Sequence, residues 1–327
     1  MAKVRLSTMA PVQRTKTIYD LVGAENTGAS PTGSTFYKTL FTCPREFALK
    51  YIVGFSPAKL GEALAIGWLF HHLLEVYYRS IMAYQRRSNA KATSDDFLYG
   101  GHKAAMHAAY TALAPVADAD GYKEIYETAH RLITGYFERY DHLDKWRIIA
   151  VEETIIYDGR FGYSARLDLI VEDFDLQGMV IVEHKTTKML SADLLDSYQL
   201  DIQILGQKWL VSKCIDLKRL PPFKGILINL ATKHKTPQFV RHNVDPSRLH
   251  LDAFTTSIKA WTKLRPIYGR IGWPQALGHC SGAARGYSRC QFYELCHGFP
   301  QLTVNDWLNA KDPPVGFVRS TPLLPTV

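Results

Sequence analysis

The order of elements in this sequence predicts an α/β fold: a central mixed sheet flanked by helices, with a helical region ahead of it. Three observations carry that prediction. Apolar runs at 148–157, 163–172 and 179–186 read as strands, separated by the turn chemistry of Asp158-Gly159-Arg160 and Asp175-Leu176-Gln177-Gly178. A helical stretch at 194–213 then precedes two more strand-like runs, 224–231 and 238–242. Before all of these, apolar residues recur every three or four positions, the helical period.

Residues 1–33 have weak periodicity and contain Gly28-Ala29-Ser30-Pro31-Thr32-Gly33, which predicts an extended or flexible lead-in. Ser34 or Thr35 caps a helix expected to run to about Tyr51. Gly61 to Tyr84 reads as a second helix, with Leu64, Gly67, His71, Leu74, Glu75 and Tyr78 at helical spacing. Helices near 96–113 and 121–143 form a predicted insertion over about 90–145, and another helix is expected over 248–268. The main domain is therefore expected over 34–297, followed by a tail, 298–327. Four prolines from Asp312 onward predict that the tail ends without regular structure.

With 327 residues, 46% hydrophobic and 21% charged, the chain can bury a substantial core. Its formal charge of +8 and pI near 9.1 favour a polyanionic partner. No apolar run approaches the roughly 18 residues that would span a bilayer, and Met1 to Lys16 is basic without a following apolar core. A soluble, cytoplasmic protein is the expectation. Gly23 to Ser30 has the glycine spacing of a phosphate loop but carries alanine where the lysine belongs, so an NTP site is rejected.

The chemistry concentrates at Asp168 and at Glu183-His184-Lys185-Thr186. Side chains alternate along a strand, so Glu183 and Lys185 share one face while His184 points away and offers its backbone carbonyl. Two carboxylates can hold a hard divalent cation while a lysine steadies charge beside it. Strand-end charges facing solvent would give the same pattern. Gly67, His71 and Glu75 stand four apart, so a close helix–sheet approach at the glycine would bring His71 to the acids; a hydrogen-bonded histidine in a helix seam is the plainer reading. One of Glu152 and Glu153 is a further candidate for the metal shell.

Five cysteines in an intracellular setting are buried apolar residues, reactive thiols or metal ligands rather than disulfides. Cys280, Cys290 and Cys296 lie in a Gly-, Ser- and Arg-rich run that reads as a loop, which thiolates holding zinc or an iron–sulfur cluster could clip together, and Cys43 stands apart before Pro44-Arg45. Cys214 lacks such company and reads as a buried apolar residue.

Across residues 34–297 these motifs resemble the RecB-like branch of the PD-(D/E)XK nuclease superfamily, which includes RecB and AddB nuclease domains and CRISPR-associated RecB-like exonucleases. Gly67-x3-His71-x2-Leu74-Glu75 resembles its histidine motif, Arg166-Leu167-Asp168 its aspartate motif, Glu183-His184-Lys185-Thr186 its acid-x-lysine-threonine motif, and Tyr198-Gln199-Leu200 its helix motif. The resemblance implies a restriction-endonuclease-like fold and a metal-dependent DNA exonuclease acting at DNA ends or on single strands, in recombination, repair, phage replication or spacer acquisition. The alternative is a non-catalytic nucleic-acid-binding subunit. It further implies Mg2+ or Mn2+ on His71, Asp168, Glu183 and the His184 carbonyl, with Lys185 steering the attacking water and Gln199 positioning the lysine or the phosphate. Cys43, Cys280, Cys290 and Cys296 would hold a 4Fe-4S cluster, with structural Zn2+ the alternative, and any helicase motor would be a separate partner.

The sequence departs from the family pattern in three places. Ala165 stands where glycine is usual. Gln203 stands where the helix motif has tyrosine, and it could line a DNA groove with Gln207 or simply be solvated. Cys280 is farther from Cys290 than the usual two-residue gap. Arg45 and Lys188 are plausible phosphate contacts, and Phe36, Tyr37, Trp68 and Tyr293 are candidate base-stacking residues.

Overall fold

The computed structural model describes residues 21–22, 32–58, 61–159, 161–214, 220–280 and 290–320. Most of the predicted lead-in lies outside them, although Leu21 and Val22 are helical and pack on the core. The chain opens with α1 (Ser34–Thr42) and α2 (Pro44–Phe47), which runs on through a π-helical turn to Ile52. One continuous helix was the expectation. Pro44 divides it, because a residue before proline is pushed to extended backbone, and Cys43 sits there at φ −153°.

A short strand, β1 (Phe55–Pro57), precedes the 26-residue α3 (Glu62–Arg87). The predicted insertion is helical, comprising α4 (Asp95–Tyr99), α5 (His102–Ala117) and α6 (Lys123–Tyr140). Then come β2 (Trp146–Tyr157), β3 (Tyr163–Asp173) and β4 (Gly178–Thr187), an antiparallel meander. The short α7 (Ala192–Ser197) and α8 (Ile202–Cys214) carry the chain to β5 (Phe223–Thr232), which lies parallel to β4, and antiparallel β6 (Phe239–Val244) completes the sheet. The order β2-β3-β4-β5-β6 is a five-stranded mixed sheet flanked by helices, consistent with a restriction-endonuclease-like fold.

Each sheet face buries a different set of helices. On one, Val151, Leu169, Val171, Val180 and Val182 pack with Leu69, Leu73 and Tyr77 of α3 and with α5 and α6. On the other, Leu167, Ile181 and Ile228 pack with Ile204 and Val211 of α8. Fully burying a Leu or Ile contributes on the order of 1.5–3 kcal/mol, so both faces are firmly covered. Beyond β6 lie α9 (Arg248–Arg270), α10 (Leu277–Cys280), α11 (Tyr293–Gly298) and α12 (Val304–Asn309).

The tail is more ordered than its prolines suggest. Thr303 and Asp306 form a capping box at the start of α12, and Trp307 packs edge-on against Phe55. Past the first two prolines, β7 (Phe317–Arg319) pairs antiparallel with β1, and only 321–327 lie outside the described residues. Residues 36–55 and the tail therefore share one aromatic cluster.

Candidate active site

Strand register sets up the site. Pairs Tyr157↔Tyr163 and Glu153↔Leu167 count inward along the β2–β3 hairpin, placing Glu152 across from Asp168. Glu152 itself has left-handed backbone, φ 54°, an uncommon state for a glutamate that the surrounding structure must hold. The regular β3–β4 pairing stops at Leu169↔Val182. Next in line, the Asp168 side chain replaces a backbone carbonyl and accepts from the His184 N–H at 2.8 Å.

Helix α3 delivers the histidine. A Cβ on Gly67 would lie 3.1 Å from Thr186 Oγ1, so the glycine permits the close helix–strand approach that the sequence suggests. One turn on, His71 Nδ1 stands 3.3 Å from Asp168 Oδ2. His71, Glu152 and Asp168 each bring a ligand atom within 4.8 Å of the others. Of the two glutamates the sequence left open, Glu152 is therefore the one at the site.

The electrostatics are those of crowded, buried acids. Burial and the neighbouring Asp168 charge push Glu152 up to about 8, against the opposing pull of Arg166, whose Nε lies 2.7 Å away. Burial also raises Asp168, but His71, His184 and Lys185 outweigh it and hold the carboxyl below its usual range. For His71, burial lowers the pKa and the Asp168 charge more than restores it, so its net shift is upward.

Glu183 and Lys185 form a second group beside the first. Lys185 Nζ donates to Glu183 Oε1 at 2.5 Å and to Gln203 Oε1 at 2.7 Å, while Gln203 Nε2 and Gln207 Nε2 donate to Glu183 Oε1 and Oε2, each at 2.6 Å. A carboxylate offers about four lone-pair positions. Three donors occupy three of them, which leaves one on Oε2. Burial and Asp168 raise the Glu183 pKa against the pull of Lys185 and Gln207. Burial lowers that of Lys185, and the Glu183 and Asp168 charges more than restore it.

The lysine-positioning contacts expected of Gln199 are made by Gln203. A single helix over 194–213 would have aligned Gln199 with the site, but the chain breaks at Asp201. Its Oδ1 caps a new helix by accepting from Gln203 N at 2.8 Å and Ile204 N at 3.3 Å. Gln199 is left in the preceding 3-10 turn, half-buried. Gly206 lets α8 lie close on β3, since a Cβ there would fall 2.0 Å from the Tyr163 hydroxyl.

His184 points to the opposite face, as alternation requires. Its Nδ1 lies 3.1 Å from Asn229 Nδ2, its ring stacks on Tyr78, and burial drives its pKa down to about 3. The ring is thus neutral, and the backbone remains the part of His184 available to the site.

The cysteines converge from both ends. Cys43 and Cys290 are buried, and Cys280 and Cys296 half-buried. Burial pushes the Cys296 thiol up to about 11, moderated by Arg45 and reinforced by Cys280 and Cys43. Cys290 shares a cluster with Glu46 and His279, whose Nε2 lies 3.0 Å from Glu46 Oε2. Cys214 is exposed, not buried, because it ends α8 at the surface.

Of the aromatic candidates, Phe36 and Tyr37 are core residues, and Tyr37 donates to the carbonyls of Phe161 and Gly162. Trp68 is half-buried with its ring stacked on His72, and Tyr293 stacks on His297. Arg45 is buried and donates to the Leu302 carbonyl, so it is committed to the fold rather than open to phosphate. Among the described residues no helix is long and apolar enough to cross a membrane.

No curated protein matches the chain. Among solved structures, a protein from Eubacterium rectale named "Putative exonuclease" is similar over 83% of this chain and 88% of its own, at 13% identity and a TM-score of 0.45. The sequence model of the PD-(D/E)XK nuclease superfamily matches residues 34–297, the span that contains every element of the site above. This chain belongs to the PD-(D/E)XK nuclease superfamily.

Proposed function

We propose that the protein is a Mg2+- or Mn2+-dependent DNA exonuclease of the RecB-like branch, acting in the cytoplasm on DNA ends or single strands in recombination, repair, phage replication or spacer acquisition. The observation that carries this reading is the convergence of His71, Glu152 and Asp168 within 4.8 Å, beside a lysine held by Glu183 and Gln203. Half-buried acids this close repel one another, and a divalent cation relieves the repulsion. The donor set of carboxylate oxygens and one imidazole suits a hard ion. Asp168, His71 and the His184 carbonyl would hold it, joined by the remaining Oε2 position of Glu183, with Glu152 alongside.

When bound, the ion supplies Lewis acidity at the scissile phosphate and acidifies water. The chain supplies orientation. Lys185, fixed by Glu183 and Gln203, presents its charge to the attacking water and to the developing negative charge on phosphate. Gln207 keeps Glu183 in place from the helix side. A motor, if the process needs one, is a separate helicase partner.

The thiol donor set fits a cluster that joins the ends of a domain spanning 34–297, after a lead-in over 1–33 and before a tail over 298–327. Cys43, Cys280, Cys290 and Cys296 would hold 4Fe-4S, with Zn2+ on the same ligands the alternative.

Digestion of end-labelled DNA with Mg2+ or Mn2+ tests the activity. The wild type is expected to release label progressively, and Asp168→Ala and Lys185→Ala to lose at least 100-fold. Equal residual activity in all three would remove the catalytic assignment.

A further inference from the structure

Where the chain enters α8 lies an open hollow of about 370 Å³, lined among others by Lys38, Phe41, Leu200, Asp201 and Trp261. Its walls are unusually apolar for a surface. Phe41 is 60% exposed and Leu200 68% exposed. The Phe41 and Trp261 rings stack with centroids 5.0 Å apart and planes 27° from parallel. Trp261 is half-buried against the aromatic core, while Phe41 and Leu200 stand out beside it and leave an apolar face to solvent.

Charge says what that something is. Lys38 is the sole charged residue of α1, and among the described residues it has no ion-pair partner. Trp261 comes from α9, which carries Arg248, Lys259, Lys263, Arg265 and Arg270 against one acid, Asp252. The one acid in the hollow, Asp201, is already engaged as the cap of α8. Apolar rings with Lys38 beside them and Arg265 one helical turn from Trp261 suit a flat aromatic group joined to an anion, which is a nucleotide. The hollow is tied to the site through one helix: Asp201, which lines it, caps the helix whose Gln203 holds Lys185.

We infer that this hollow takes an unpaired base of the DNA strand being cut, extending the Phe41–Trp261 stack by one layer while Lys38 meets its phosphate. The inference rests on the nuclease reading above and adds to it a preference for single-stranded DNA. A base paired inside a duplex has no free face to offer.

The test uses the full-length protein in EDTA, which stops cleavage, titrated with single-stranded oligonucleotides carrying 2-aminopurine at successive positions. The wild type should quench 2-aminopurine strongly at one or two positions. Phe41→Ala and Trp261→Ala should abolish that quenching and weaken single-strand binding roughly 5- to 150-fold, the range set by one lost base–aromatic stack. Affinity for blunt duplex should stay unchanged, and Phe41→Trp should restore both quenching and affinity. Because Phe41 is exposed, its replacement should leave the unfolding temperature unchanged. Unaltered single-strand affinity in both alanine variants, or equal losses on single strands and duplex, would overturn the inference while leaving cleavage by the wild type intact. Failure of the wild type to bind or cut any DNA would instead sink the nuclease reading and this inference with it.

Discussion

Replacing Gly206 by alanine should disable the site from outside it. The added Cβ would lie 2.0 Å from the Tyr163 hydroxyl, 2.4 Å from Cζ and 2.5 Å from Cε1. An ordinary contact needs about 3.4 Å or more, so some group must move by more than 1 Å. Tyr163 is fully buried and donates to the Ile202 carbonyl at 3.2 Å, which leaves the ring no room to swing. The helix must yield instead, carrying Gln203 and Gln207 with it. Their 2.6 Å bonds to Glu183 would stretch beyond hydrogen-bonding range. Each bond to a charged group contributes about 1.5–3 kcal/mol, so losing two costs about 3–6 kcal/mol, less about 1 kcal/mol of helix propensity gained by alanine. Lys185 also loses its Gln203 anchor, and a displacement of about 1 Å near reacting groups can cost on the order of 100-fold in rate. The assay is thermal unfolding together with cleavage of end-labelled DNA, with Gly269→Ala as control. A Cβ at Gly269 meets only Trp273 at 3.7 Å, so that variant should gain slightly in stability and keep its activity. Wild-type stability and activity in Gly206→Ala would mean that neither the helix position nor its glutamines matter to the site.

Three further outcomes are expected. Burial and the Asp168 charge push the Glu152 carboxyl up to about 8, so the folded state binds its proton more tightly than the unfolded one. Stability of the ion-free protein should therefore fall as pH rises from the ordinary carboxylate range to about 8, and Mg2+ should raise the unfolding temperature more at pH 8.5 than at pH 6, where the proton competes. Anaerobically purified protein should be brown with iron and acid-labile sulfide and lose its colour in Cys290→Ala; stoichiometric zinc without sulfide would identify the alternative. Asp144→Asn should cost about 3–5 kcal/mol by stranding the Arg241 guanidinium, which pairs with Asp144 and lies 3.7 Å from the Tyr140 ring centroid; thermal denaturation reads this directly.

The sheet and the helix carrying His71 were legible because period-2 and period-3.6 patterns report burial directly, and the site follows from where those patterns place acids. Glu152 was within reach: counting outward from the Tyr157–Tyr163 closure pairs it with Asp168, but a choice between Glu152 and Glu153 also needs the local backbone, and φ 54° at Glu152 leaves no pattern in the residues. Gln203 was obscured by a helix break. Apolar spacing runs on through Leu194 to Leu210, and the cap by Asp201 that restarts the helix competes with that spacing through hydrogen bonds, which periodicity does not register. Within the proline-bearing stretch from Asp312 onward, β7 left no signal, since its three residues are held by pairing with distant β1. The Phe41–Trp261 hollow had none, since its two rings come from helices more than 200 residues apart in sequence.

The proposed centre is one cation held by Asp168, His71, the His184 carbonyl and Glu183, with Glu152 alongside and Lys185 next to it. Anomalous diffraction from crystals soaked in Mn2+ tests it most directly. One strong peak is expected within coordination distance of Asp168 and His71, lost in Asp168→Ala. A peak confined to other residues, or none at saturating Mn2+, would contradict it.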